Sequence, residues 1–212
     1  MKSIGTKLAA FFAITLLLVG IGLGSISYVI SAKGLQDNSQ DSLTELADQV
    51  AMLVARDYQA NIAIIQTIAN RNDIKTMDWD TQLATLIEEN KNQGFQSMGI
   101  VDKEGNARYI DEDEVRYLGD RDYIRAAFAG NANISDVLIA RATNLPVMML
   151  AAPVYQGNEI VGVLFARQTA TTLSDFTNQV RFGESGYAYL IDDQGTIIAY
   201  PDPDFVLEQR NF

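Results

Sequence analysis

Twenty-five consecutive residues, Leu8 to Ala32, carry no charge and are mostly apolar, including Phe11-Phe12-Ala13-Ile14 and the run from Ile21 to Ile30. About 20 such residues cross the hydrocarbon layer as a helix. A cleaved leader has a shorter apolar core, about 7 to 15 residues, and ends in small residues. Ile30 stands where one of those small residues would precede a cleavage after Ala32, so the block reads as a retained anchor. Lys2 and Lys7 precede it and an acidic stretch follows Lys33. The positive-inside rule therefore predicts a cytoplasmic N-terminus, one span in the inner (plasma) membrane and a body on the extracytoplasmic side.

From Gly34 to about Asn72 the pattern becomes a polar chain with one apolar stripe: Leu43, Leu46, Val50, Leu53, Val54, Tyr58, Ile62, Ile65, Ile68 and Ala69. Spacings of three and four put these side chains on one helix face. Two readings fit. The helix packs along a domain as part of its core, or it is a stalk that continues the membrane helix and pairs with a second copy in a homodimer; one helix can do both along different parts of its length. Trp79 to Asn92 predicts a shorter amphipathic helix with Leu83, Leu86 and Ile87 inward.

Alternating and continuous apolar runs follow. Ser97 to Asp102 and Ala107 to Ile110 flank Lys103-Glu104-Gly105-Asn106, a turn in which positive φ is easily adopted, and so predict a hairpin. Asp111 to Glu114 reads as an acidic loop, and a helix after it ends at Gly130. Val147 to Val154 and Ile160 to Ala166 predict a second hairpin around Tyr155 to Glu159. The order of long helix, hairpin, helical crossover and hairpin predicts an α+β fold: one antiparallel sheet with its helices on one face. Thr172 to Arg181 reads as a further helix. Beyond it Leu190-Ile191-Asp192-x-x-Gly195 repeats Ile100-Val101-Asp102-x-x-Gly105. A second copy of the sheet module is expected to start there and to be cut short at Phe212.

Composition narrows the chemistry. There are no cysteines and no histidines, which removes disulfides, thiolate metal sites, thiol nucleophiles and the His-dependent triads. The net charge is −11. Beyond Lys33 the chain holds 13 basic and 27 acidic residues, a body that nucleic-acid phosphates would repel. No phosphate-binding loop is present and the acids of Asp111 to Glu114 lack the spacing and glycine of a calcium loop, so no cofactor or metal is expected. A membrane-anchored enzyme is disfavoured: Asp120 and Asp122, two positions apart, diverge on either a strand or a helix.

The stretch with most chemistry is Arg116 to Gly130. There Tyr117, Arg121 and Tyr123 sit where the acidic segment gives way to a helix. Arg121 between Asp120 and Asp122 has two readings, an internal salt bridge or a guanidinium offered to a ligand.

Taken in order, the membrane helix, the long helix, Ser97-x-Gly99-Ile100-Val101-Asp102-x-x-Gly105, Asp120-Arg121-Asp122-Tyr123 with Ala127-x-x-Gly130, Ala152-Pro153-Val154, Gly162-Val163-Leu164, and the run from Gly183 through Tyr187 to Gly195 resemble the double Cache (dCache) sensor domains. These occur in methyl-accepting chemotaxis receptors, in sensor histidine kinases and in diguanylate cyclases. The resemblance implies a PAS-like, ligand-binding sheet module distal to the membrane and a second module proximal to it. The implied organisation is a cytoplasmic N-terminus over 1–7, a transmembrane helix over 8–32, a stalk helix over 33–72, the distal module over 73–180 and the start of the proximal module over 181–212.

The amino-acid-binding branch of that family holds the ligand carboxylate with an Arg followed by two aromatics, and the ammonium with a Tyr and two Asp. Arg121 and Tyr123 match the first part, with Ile124 in place of the second aromatic. Leu138, Ala140 and Arg167 fall where the ammonium ligands would stand. The resemblance, so altered, implies a small-molecule ligand that is an anion, most simply a mono- or dicarboxylate. Arg121 and Arg167 would be its guanidinium forks, Tyr123 its lid, Tyr117 a neighbour and Arg141 a third cation. For Arg167, pointing into solvent at a strand end is the alternative.

Overall fold

The computed structural model describes residues 4–140, 145–182, 186–208 and 210–211. The chain divides into two compact units, one up to Gln49 and one from Val50 onward. The first is helical from Ile4, within the helix α1 (Ile4–Ala69). Phe11, Leu16, Leu17 and Leu18 are all exposed on it. That helix is long and apolar enough to cross a membrane.

The second unit opens on the last turns of α1, where Ile65, Ile68 and Ala69 are buried. Then come α2 (Asn72–Lys75) and α3 (Trp79–Gln93). Asp78 caps α3 by accepting from Thr81 N at 3.1 Å, and Gly94, at φ 72°, ends it. Where the three helices meet, Asp73 accepts from Arg71 Nη2 at 3.1 Å and from Thr85 Oγ1 at 2.5 Å, while Arg71 Nη1 reaches Glu89 at 2.8 Å. The Arg71 hydrogen bond is the main reason the Asp73 carboxyl is lowered to about 2.

The strands β1 (Ser97–Val101), β2 (Asn106–Tyr109) and β3 (Glu112–Tyr117) form a meander. After α4 (Asp122–Phe128) come β4 (Asn133–Ile134), β5 (Leu138–Ile139), and the long hairpin β6 (Pro146–Gln156) and β7 (Glu159–Thr169). One antiparallel sheet results, in the order β3-β2-β1-β7-β6-β4, with β5 also pairing with β6. β1 joins the meander to the hairpin: Ser97 lies opposite Arg167, and Gly99 opposite both Tyr109 and Phe165. Only glycine fits there, since a Cβ on Gly99 would lie 2.1 Å from the Arg108 carbonyl and 2.4 Å from the Phe165 ring. Pro153 sits in β6 beyond the stretch that β4 and β5 cover, where a missing N–H costs little.

The α+β class and antiparallel sheet are as expected, but the sheet is covered on both faces, not one. Met98, Ile100, Leu150, Ala152, Leu164 and Ala166 pack on α1, α2 and α3. The alternate positions Val101, Val147, Met149, Ala151, Val163 and Phe165 pack on Tyr123, Ile124 and Ala127 of α4. Strand alternation requires this once both sets of side chains are apolar. The second correction concerns the acidic segment. Glu112 to Tyr117 is an edge strand, with Tyr109 opposite Glu112 and Ala107 opposite Arg116. Charged edges of this kind discourage further strand addition.

Past β7 come α5 (Thr171–Asn178), two small two-stranded sheets formed by β8 (Arg181–Phe182) with β9 (Gly186–Tyr187) and β10 (Leu190–Ile191) with β11 (Ile197–Ala199), and α6 (Pro203–Leu207). Leu173 and Ala199 pack with Met148, beside Tyr58 of α1. The two similar sequence stretches also share a turn. Gly105 N bonds Asp102 O at 3.0 Å and Asp102 N bonds Asn106 O at 2.9 Å; the counterparts are Gly195 to Asp192 at 3.1 Å and Asp192 to Thr196 at 3.0 Å. Gly105 and Gly195 both have positive φ, 91° and 83°.

Candidate ligand-binding site

On the α4 face of the sheet lies a cavity of ≈ 470 Å³ bounded by β2, β3, α4, β5, β6 and β7. That is within the roughly 300 to 1,000 Å³ usual for small-molecule pockets. Tyr117, Arg121, Tyr123 and Arg167 all line it, so four of the five residues singled out from the sequence converge. Arg141 lies outside the described residues.

Arg121 stands at the entry to α4 with an extended backbone, φ −79° and ψ 135°. The only described acid beside it is Asp120, at 4.0 Å, and its side chain is 38% exposed. Asp122 pairs with Arg125 instead. Tyr123 is buried in the α4 core, and burial, with Tyr109 adding and Arg121 opposing, pushes its phenol well above the usual range. Tyr117 is exposed. Its ring rests on two glycines: a Cβ on Gly105 would come within 2.7 Å of Tyr117 Cε2, and one on Gly119 within 2.7 Å of its hydroxyl. Leu138, Ala140, Val147 and Met149 supply an apolar wall.

Arg167 differs most from expectation. Neither solvent-facing nor an open fork, it is only 8% exposed. Its Nη2 donates to Asp111 Oδ2 at 2.8 Å and its Nη1 lies 3.8 Å from Glu112 Oε1. The guanidinium carbon is 5.8 Å from the centre of the Tyr109 ring, which packs edge-on against Phe165. Burial also raises the Tyr109 phenol. Glu112 Oε2 accepts from Arg116 Nε at 2.6 Å, and Asp111 accepts from Ser97 Oγ. The sequence reading missed the roles of Asp111, Glu112 and Arg116. The available signal was the period-two placement of Glu112, Glu114 and Arg116, which puts acid and base on one side of a strand.

Other depressions of comparable size lack this balance. One of ≈ 490 Å³ is lined by Asp78, Asp80 and Asp102 and by Arg108, which already lies over Trp79; another of ≈ 540 Å³ holds Asp136, Asp192 and Asp193 and, among the described residues, no cation.

The dCache_1 family model, described as a Cache domain, matches residues 31–211. Among curated proteins, the methyl-accepting chemotaxis protein PctB of Pseudomonas aeruginosa is 24% identical over 180 residues, 82% of this chain but 28% of that protein. PscA of Pseudomonas syringae pv. tomato, also a methyl-accepting chemotaxis protein, is 32% identical over 89 residues, 42% of this chain and 14% of that one. The chain thus spans about a quarter or less of the length of these relatives. Among solved structures, the ligand-binding domain of PctB in complex with L-Arg superposes with a TM-score of 0.67 at 22% identity, over 80% of this chain and 74% of that one. The ligand-binding domain of the Pseudomonas aeruginosa amino acid chemoreceptor PctC, in complex with GABA, gives 0.68 at 19% identity, over 80% and 78%.

Proposed function

The chain belongs to the Cache domain family, and from that premise and the cavity we infer that it is the sensing part of a transmembrane chemotaxis receptor of the methyl-accepting type. Its ligand is a small molecule with a carboxylate, bound between the sheet and α4. One observation carries the ligand class: of the three arginines lining the cavity, Arg116 and Arg167 are paired with Glu112 and Asp111, whereas Arg121, among the described residues, faces only Asp120 at 4.0 Å. A ligand carboxylate at Arg121 gains charge-assisted, bidentate hydrogen bonds in a partly dry space. Tyr123 and Tyr117 flank it, and the Leu138, Val147 and Met149 wall takes the apolar remainder. The L-Arg and GABA in the relatives' structures each carry a carboxylate too.

The role is binding and not catalysis. Ligand binding biases an equilibrium between two arrangements of the receptor, and α1 is the element that leads from the sheet to the membrane-crossing segment. The body lies outside the inner membrane, and pairing of α1 with a second copy provides the dimer in which such a shift is transmitted. Residues from about 181 open a membrane-proximal module, supported by the shared turn at Asp102 and Asp192.

Calorimetric titration of the chain with a panel of L-amino acids and organic acids tests the ligand class. Arg121→Ala is expected to weaken binding of the best carboxylate ligand about tenfold or more, since a charge-assisted hydrogen-bonded contact is worth about 1.5 kcal/mol or more. Binding that Arg121→Ala leaves intact, or tight binding of a ligand without a carboxylate, sinks the proposal.

A further inference from the structure

Glu112 is placed to decide how many carboxylates the cavity accepts. Its two oxygens face two arginines, Oε2 accepting from Arg116 Nε at 2.6 Å and Oε1 lying 3.8 Å from Arg167 Nη1. Arg167 is 8% exposed, its Nη2 is taken by Asp111 at 2.8 Å, and its buried Nε has no hydrogen-bond partner among the described residues. A guanidinium that deep needs carboxylate close by. Here the edge strand β3 and the residue before it supply that carboxylate from within the chain. With Asp111 and Glu112 set against Arg116 and Arg167, the guanidinium most weakly paired at the cavity is that of Arg121, 4.0 Å from Asp120.

We propose that Glu112 is a specificity-determining residue: it occupies the Arg167 end of the cavity where a second ligand carboxylate would bind, so the site takes monocarboxylates and rejects dicarboxylates. This rests on the reading of Arg121 as the carboxylate anchor. A second carboxylate brought toward Arg167 meets Glu112 across a short gap in a partly desolvated space, and discrimination by such like-charge contact is stronger than anything the apolar wall can add. Glu112→Gln keeps the size and an oxygen for Arg116 but removes the charge. Arg167 is then left with Asp111 alone and with donors free.

Butyrate and succinate have equal carbon counts and differ by one carboxylate, which makes them suitable probes for calorimetry on the full chain in nanodiscs. The wild type is expected to bind butyrate at least about tenfold more tightly than succinate, and E112Q, which removes a negative charge from the cavity, to strengthen both acids but succinate at least about tenfold more than butyrate. Three results overturn the assignment: a wild type that binds both equally, an E112Q chain that gains no more for succinate than for butyrate, or tight binding of L-alanine that E112Q abolishes, which would give Glu112 to a ligand ammonium. If butyrate binds and R121A removes it, any of these sinks the Glu112 role alone; if no carboxylate binds the wild type, the anchor reading falls and takes this one with it. Thermal melts establish that E112Q folds, and should it not, the wild-type preference between the two acids decides.

Discussion

Individual residues carry both the chemistry and the tightest constraints of this domain. Gly99 is the clearest constraint, because an added Cβ would overlap the Arg108 carbonyl at 2.1 Å as well as the Phe165 ring. A backbone atom cannot move aside as a flexible side chain can. Gly99→Ala is therefore expected to destabilise by about 2 kcal/mol or more, measured as a loss in urea unfolding free energy, at the upper end of overpacking penalties. Arg121 and Tyr123 were legible in the sequence because they lie two positions apart in a recognisable motif. The partners of Arg167 were not: Asp111 and Glu112 lie more than fifty residues before it and reach it only through the register that sets Ser97 opposite Arg167 and Tyr109 opposite Glu112. Nothing local to Arg167 encodes that pairing.

At the scale of elements, Asp73 joins the α1–α2 turn to α3 through Arg71 and Thr85, beside the Gln82 side chain that donates to Ile74 O at 2.7 Å. The Asp73 carboxyl is lowered from 3.8 to about 2, first by the Arg71 hydrogen bond. A carboxyl that is more acidic folded than unfolded contributes stability fully above its unfolded value and loses it as pH falls toward the folded one. Unfolding free energy is thus expected to drop between about pH 4 and pH 2, and Asp73→Asn to flatten that dependence while lowering stability at pH 7; an unchanged profile in the variant would refute the assignment. Long periodic elements such as α3, β6 and β7 were legible because burial imposes their period. β3 was not, since Glu112-Asp113-Glu114 has poor strand propensity and becomes a strand through pairing with β2 and its links to Arg116 and Arg167. β4 and β5, two residues each, are held by pairing with β6 and leave no pattern to read.

For the whole molecule, the helix from Phe11 to Ile30 is apolar and exposed, and long enough to cross a membrane. The expectation is that the chain stays with membranes through alkaline carbonate extraction, and that Leu17→Lys with Leu18→Lys releases it, at a cost of about 2.5 to 3.5 kcal/mol for each charge at a span centre. Retention of the double variant would argue against the span. The place of β1 has a further consequence, for the timing of assembly. Its five residues are all buried, and its second neighbour, β7, is made about seventy residues after it. As the chain is synthesised, β1 can pair at once with β2, but its other edge stays open until Arg167 has emerged. Closing so long a loop is slow compared with forming a hairpin. The late β6–β7 hairpin is therefore the piece whose arrival completes the sheet and the cavity together, and a nascent chain halted before it would present an unpaired apolar strand to the chaperones of its compartment.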